Sequence, residues 1–276
     1  GKRQVDIFYE VRKFISYGDD SRIIESEHKR YRINEVYIYT DWNPKVALDE
    51  GSAYLQRQDT IYQEGFWFIN DRDKHAVKPG VIAQSLYIKP GDLFQLTNMD
   101  RSQDHLNSLQ SFRLVNIRYS KPGTVEDWEH SELPLDCIIR LTTVTLQEFR
   151  VELEGTNSAG NLGGAINLVY QHKNLFRGAE RLNIKLKGAY ETLSEQVSGS
   201  RSTQEYGFET SLTLPRFMLP FLEKEEFIKK YNPKTVITAA YNYQKMPVYT
   251  RTVANASFGY NWQGNRFIRH SVYPLQ

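Results

Sequence analysis

The sequence predicts two kinds of fold in one chain of 276 residues: a mixed α+β part up to Val144, then an all-β antiparallel meander. Helical spacing is confined to the first part. After Val144, apolar and polar residues alternate in one segment after another with turn residues between them, the pattern of strands that bury one face. The hydrophobic fraction is 40% and the mean hydropathy -0.57, and no run approaches the ~18 apolar residues of a spanning helix. A membrane β-barrel escapes that test, because its strands alternate lipid-facing with lumen-facing residues.

Near the start, VDIFYEV alternates and reads as the last strand of a preceding module. A charged, loop-like segment containing YGDDSR follows it, so residues 1–29 are read as the end of that module and a linker. In YRINEVYIYT, Ile33, Val36 and Ile38 sit among β-formers, which predicts a strand. Residues 41–75 are polar and irregular, a longer connection than most compact domains carry; within them TIYQEGFWFIN predicts one extra strand. Residues 79–86 and 97–109 have helical spacing. Thr97 with Asp100 predicts a capping box for the second helix, and Leu106 and Leu109 share one of its faces. FRLVNIRYS then predicts a strand with Phe112, Leu114, Asn116 and Arg118 on one face and Arg113, Val115, Ile117 and Tyr119 on the other. LDCIIRLTTV predicts another. The order is strand, helix, helix, strand, strand.

Beyond Val144, FRVELEG, GAINLVYQ, ERLNIKLKGAYE, YGFETSLTL, TVITAAYNYQ and RTVANASFGYNW predict about six strands. In the third, Leu182, Ile184 and Leu186 alternate with Arg181, Asn183, Lys185 and Lys187. In the first, Phe149, Val151 and Leu153 oppose Arg150, Glu152 and Glu154. A water-soluble meander needs a second layer over its apolar face, and this half contains no obvious amphipathic helix to supply one. Two architectures remain open at this point: a β-sandwich whose sheets cover each other, or a sheet whose aliphatic face meets lipid while its polar face lines a wet lumen.

Several function classes are excluded by composition and spacing. The formal charge of +2 comes with no basic run interleaved with aromatics, so no nucleic acid is expected. The single cysteine, Cys137, forms no intrachain disulfide. The start GKRQVDIFYE has neither signal-peptide nor lipoprotein character, which fits a cytosolic protein or a targeting segment outside these residues. His28, His75, His105, His130, His172 and His270 are scattered without metal-ligand spacing, and no metal or other cofactor is expected. GNLGG joins two strands instead of a strand and a helix, so it reads as a tight turn and not as a phosphate loop. Glu152/Glu154 and Glu223/Glu225/Glu226 lack partners for acid–base work, and no nucleophile motif appears. The chain reads as a non-enzyme.

The run from Val151 to Glu191 resembles the opening hairpins of the outer-membrane β-barrel assembly and translocation family, the BamA/TamA type. Glu154, Gly155, Thr156 and Asn157 carry the first turn, and Asn174, Leu175, Phe176, Arg177, Gly178 and Ala179 the second. The stretch from Asn232 to Trp262 is similar to the same barrel, and SLYIKPGDLFQLTNMDRSQDHLNSLQSFRLVNIRY is similar to a POTRA domain, the periplasmic module preceding that barrel. The resemblance implies residues 30–145 as a POTRA domain with a long insertion and residues 146–276 as the first strands of a larger transmembrane β-barrel whose later strands, with the family's arginine loop, are absent. It implies a location in the bacterial outer membrane with the N-terminal domain in the periplasm, and a role in inserting or exporting proteins without nucleotide or covalent chemistry. Implied partners are unfolded outer-membrane or exported proteins, accessory assembly or translocation subunits, and outer-membrane lipid. A soluble periplasmic binding or scaffolding protein with a sandwich is the alternative.

Strand edges are where such a protein would act, because an unpaired edge templates an incoming strand. On the POTRA side the expected edge is Phe112, Arg113, Leu114, Val115, Asn116, Ile117, Arg118 and Tyr119. On the barrel side it is the first strand: Phe149, Arg150, Val151, Glu152, Leu153, Glu154 and Gly155. With entry from the periplasm at Gln147, GTNSAG and LSEQVSGSRSTQ face the exterior, while HKNLFRGAE and PRFMLPFLEKEEFIKKYNP face the periplasm. The last segment predicts a short amphipathic helix with Phe217, Leu219, Phe221 and Leu222 toward lipid.

Overall fold

The computed structural model describes residues 10, 13–17, 23–26, 28–71, 77–122, 132–158, 161–193, 202–218, 225–265 and 267–276. They form three sheets of two, five and seven strands. The first pairs β1 (Phe14–Tyr17) with β2 (Ile23–Ser26), so the segment read as a loop carries one strand on either side of its charged residues. Apart from Glu10, VDIFYEV lies outside the described residues.

The five-stranded sheet has the order β4-β5-β3-β7-β6. Its members are β3 (Arg30–Tyr39), β4 (Gln58–Gln63), β5 (Phe66–Asp71), β6 (Phe112–Ser120) and β7 (Glu132–Thr143). β3 runs parallel to both β5 and β7, while β4 and β6 pair antiparallel at the two margins. Helices α3 (Pro79–Gln84) and α4 (Leu96–Ser108) contribute to the core on one face. There Val36, Ile38, Phe68, Ile82, Leu86, Leu106, Ile139 and Leu141 are fully buried. Each such side chain contributes about 1.5–3 kcal/mol by leaving water. This cluster is the hydrophobic core among the described residues, and Ala179 is its sole member from beyond β7.

Local expectations needed correction here. Residues 41–71 are not irregular: they form α1 (Pro44–Glu50), α2 (Ser52–Gln56) and the β4–β5 hairpin. The extra strand is two strands, because Glu64 and Gly65 both take positive φ (55° and 83°), the geometry of a two-residue hairpin turn. The capping box does not form: α4 starts at Leu96 with Gln95 as N-cap and no side-chain cap, which puts Thr97 already inside the first turn. The simple alternation in β6 also fails. A bulge between Phe112 and Leu114 resets its parity, so Phe112 and Val115 are both buried while Leu114 is 49% exposed.

The seven-stranded sheet is one antiparallel meander in sequence order. It comprises β8 (Gln147–Ser158), β9 (Asn161–His172), β10 (Arg181–Thr192), β11 (Ser202–Leu214), β12 (Lys234–Lys245), β13 (Thr250–Asn265) and β14 (Ile268–Leu275). The expectation of about six strands is corrected to seven: Ile268–Leu275 also pairs with β13, through an irregular register. Among the described residues no second sheet lies across this one, so the sandwich alternative lacks its covering layer.

Registers line up the alternation across strands. One face carries the rows Phe149–Tyr170–Ile184, Val151–Leu168–Leu186–Phe208–Tyr241 and Leu153–Ile166–Gly188–Tyr206–Tyr243. The other carries Glu152–Asn167–Lys187–Gly207–Asn242 and Glu154–Ala165–Ala189–Glu205–Gln244. From Leu182 to Tyr190 the apolar face spans about 27 Å along the strand.

Candidate functional site

The apolar face of the seven-stranded sheet is open. Phe149 and Leu153 are each 77% exposed, and Val151, Leu168, Leu186, Phe208 and Tyr241 are exposed with them. The opposite face is knit by polar contacts instead. Glu205 accepts hydrogen bonds from Lys187 Nζ (3.0 Å) and Asn242 Nδ2 (2.8 Å), Asn167 Nδ2 donates to Glu154 Oε1 (3.0 Å), and Thr238 and Ser257 hydroxyls meet at 2.6 Å. The sheet therefore turns its oily side outward and links part of its polar side by cross-strand hydrogen bonds.

Both strands named from the sequence as docking edges lie at sheet margins. β6 is the last strand of the five-stranded sheet, with Arg113, Leu114 and Arg118 exposed along it. Tyr119, at its far end, is half-buried with the fully buried Cys137 as its register partner, and burial raises the pKa of both; the Cys137 thiol is pushed up to about 12. β8 is the margin of the seven-stranded sheet, paired with β9 from Gln147 to Ser158 on one side and with no strand on the other among the described residues. Its polar side chains Glu148, Arg150 and Glu152 form a ladder with N–O distances of 3.0 Å and 3.5 Å, and Lys173 closes on Glu148 at 3.1 Å.

The two margins converge. β7 ends at Thr143 and β8 begins at Gln147, so Arg113 of β6, Thr142 to Thr145, and Gln147 and Glu148 of β8 line one open cleft of about 510 Å³. Asp41, Trp42 and Asn43 form its other wall. Thr143 Oγ1 donates to Asp41 (2.8 Å), Thr142 Oγ1 donates to the Trp42 carbonyl (2.8 Å), and the Arg140 guanidinium lies 4.4 Å over the Trp42 ring. Sequence reasoning missed these wall residues because they open the segment read as irregular. DWN followed by Pro, an Asx N-cap signature, was the available signal: Asn43 Oδ1 accepts from Lys45 N and Val46 N.

The two large sheets are held to each other at the end of the meander that carries the turn 173–180 and the β11–β12 connection. In the turn 173–180, Asn174 Oδ1 accepts from Ala179 N (2.9 Å), and the buried Glu180 carboxylate accepts from Phe176 N (3.0 Å) and Gly178 N (2.9 Å). These bonds hold Arg177 and Ala179 at positive φ (63° and 62°) and aim the Arg177 carbonyl at Lys78 N, 2.7 Å away. A second turn ends in α5 (Glu225–Tyr231), whose Lys229 carbonyl accepts from the Tyr87 hydroxyl. Phe217 does not face lipid as expected. It is buried among Phe227, Tyr260 and Trp262, because α5 folds back over β13. Leu219, Phe221 and Leu222 lie outside the described residues.

No metal-binding cluster occurs among the described residues. No protein-family model matches the sequence, and no curated protein is significantly similar to it. Among solved structures, BamA from Haemophilus ducreyi lacking POTRA domains 1-3 is similar at 11% identity and a TM-score of 0.38 over 96% of this chain. CdiB from Acinetobacter baumannii is similar at 9% identity and 0.38 over 91%. The chain spans 52% and 63% of those two chains, and scores at this level speak to neither family nor activity.

Proposed function

We propose that this chain is the junction region of an outer-membrane protein assembly or translocation factor of the BamA/TamA type, acting by β-strand templating without catalysis. In this reading residues 146–276 are strands of a membrane β-barrel and residues 30–145 a periplasmic POTRA domain with an insertion. The observation that carries it is the open apolar face of the seven-stranded sheet. In water, each fully exposed side chain there forgoes about 1.5–3 kcal/mol of transfer free energy, and a contiguous patch of them marks a membrane or protein contact. Lipid satisfies that face while the polar face lines a wet interior.

The chemistry follows from the edges. An unfolded outer-membrane or exported protein would add an extended segment to β6 through backbone hydrogen bonds. The cleft then leads that segment to the free edge of β8, where the same donors and acceptors are presented at membrane depth. No group is activated and no bond is broken, so specificity lies in backbone availability and accessory subunits assist delivery.

Photo-crosslinking side chains at Arg150 and Glu154 of the full-length protein test this. Adducts with newly synthesised outer-membrane proteins are expected from both positions and not from Lys185, two strands inward. Adducts from none of the three would sink the templating reading.

A further inference from the structure

We propose that the α1–α2 pair is a membrane-interface anchor that sits in the lipid leaflet at the foot of β8, beside its free edge. The inference rests on the barrel reading above and adds a second lipid contact, made by the N-terminal sheet.

Pro44, Ala47 and Leu48 of α1, Gly51 at the break between the helices and Leu55 of α2 form one apolar stripe, of the kind that ordinarily packs on a core. Here it faces outward: Leu48 is 85% and Leu55 51% exposed, and with Trp42 the stripe lines a shallow depression of about 410 Å³. The exposure is built, because the other side of the pair is bolted down. Tyr54 is 3% exposed, its hydroxyl accepts from Asn43 N (3.1 Å) and donates to the Asp41 carbonyl (3.3 Å), and its ring meets Trp42 edge-on at 5.2 Å. Trp42 N in turn donates to the Leu141 carbonyl at 2.8 Å.

Topology decides what this stripe meets. β3 runs parallel to β7, and β7 leads through three residues, 144–146, into β8. The segment that leaves the end of β3 therefore emerges at the barrel-facing end of the sheet, and Trp42 and Asn43 share the cleft with Gln147 and Glu148. The turn 173–180 and α5 pack instead on the side of Lys78 and Tyr87, which leaves α1–α2 at the foot of β8. There the apolar belt begins, with Leu146 40% and Phe149 77% exposed. An apolar stripe at the barrel-facing end of the sheet, carrying a tryptophan and flanked by Arg140 and Lys45, has the chemistry of an interfacial element seated about 5–10 Å into the headgroup boundary. A protein ligand would need the same stripe without explaining its place beside Gln147 and Glu148 at the foot of β8.

The test uses the full-length protein in lipid nanodiscs, with an environment-sensitive fluorophore on Leu48→Cys and, separately, on Leu186→Cys in the middle of the belt. Cys137 is fully buried, so the labelled wild-type chain serves as the blank. Lipids with a nitroxide near the headgroup end of the acyl chain should remove about half or more of the Leu48→Cys emission, the depth range of an interfacial element. Nitroxides deep in the chain should do the same for Leu186→Cys. Quenching of Leu186→Cys alone overturns the anchor and leaves the barrel reading standing. A blue-shifted but unquenched Leu48→Cys overturns it too, since a protein then covers the stripe. Quenching of Leu48→Cys alone keeps the lipid contact and overturns the barrel reading, and quenching of neither overturns both.

Discussion

His105 shows how a single side chain reports on the seam between the two large sheets. It sits in the last turn of α4, 7% exposed, and burial first, then the charges of Lys229 and Lys234, lower its pKa from 6.5 to about 4 against an opposing hydrogen bond with Asn232. A histidine whose folded pKa lies below its unfolded value binds more protons when released, so stability rises with pH between the two values. The contribution is whole above about pH 6.5 and is lost as pH falls toward about 4, at most about 3 kcal/mol. Denaturation of the wild-type protein and His105→Leu across that range should show the wild type weakening more steeply toward acid. Parallel curves would mean that the seam does not depend on a neutral imidazole.

At the scale of elements, the parity of each strand is the property to challenge. Leu186 lies in the middle row of the apolar belt and Lys185 beside it on the polar face. Leu186→Arg should cost about 2–4 kcal/mol in a membrane folding assay, the penalty for a cation at the bilayer midplane, whereas Lys185→Leu should cost far less. Equal tolerance of both would mean that neither face sees lipid. For β6 the relevant groups are backbone. Of Val115→Pro and Asn116→Pro, the one whose N–H points away from β7 should weaken binding of an unfolded barrel protein by about 1–3 kcal/mol, and alanine there should do much less. Hydrogen exchange on β7 would verify that the sheet persists. Unchanged binding in both folded variants would remove β6 as a docking edge.

For the molecule as a whole, the contacts of Lys78 and Tyr87 with the turn 173–180 and α5 place the five-stranded sheet at one end of the seven-stranded one. On the proposed orientation, which puts that sheet in the periplasm, the β12–β13 turn would face the exterior and the β13–β14 turn the periplasm. Val248 is 79% and Phe267 91% exposed, so each is a usable reporter. An impermeant thiol reagent should label Val248→Cys in intact cells and Phe267→Cys only after the outer membrane is breached. The opposite pattern would invert the orientation.

Alternation by itself determined the six longest strands of the second half and their inward and outward faces, because side-chain period in a strand is a local property of the backbone. Helical spacing likewise located α3 and α4. Alternation left open whether the apolar face meets a second sheet or lipid, because period 2 is the same in both. The strand pairing, one meander with no second sheet across it among the described residues, leaves the sandwich without its covering layer. β14 was missed for a related reason: RFIRHSVYPLQ alternates poorly, and its strand character comes from an irregular pairing with β13. The α1–α2 stripe was read as polar and irregular because it is short. Its two helices are held by Tyr54 and Trp42 against distant Leu141 and Arg140, contacts that no window of sequence contains. The meeting of β6 and β8 at one cleft is likewise tertiary, since residues 113 and 148 become neighbours only when β7 returns antiparallel to β6 and hands the chain directly to β8.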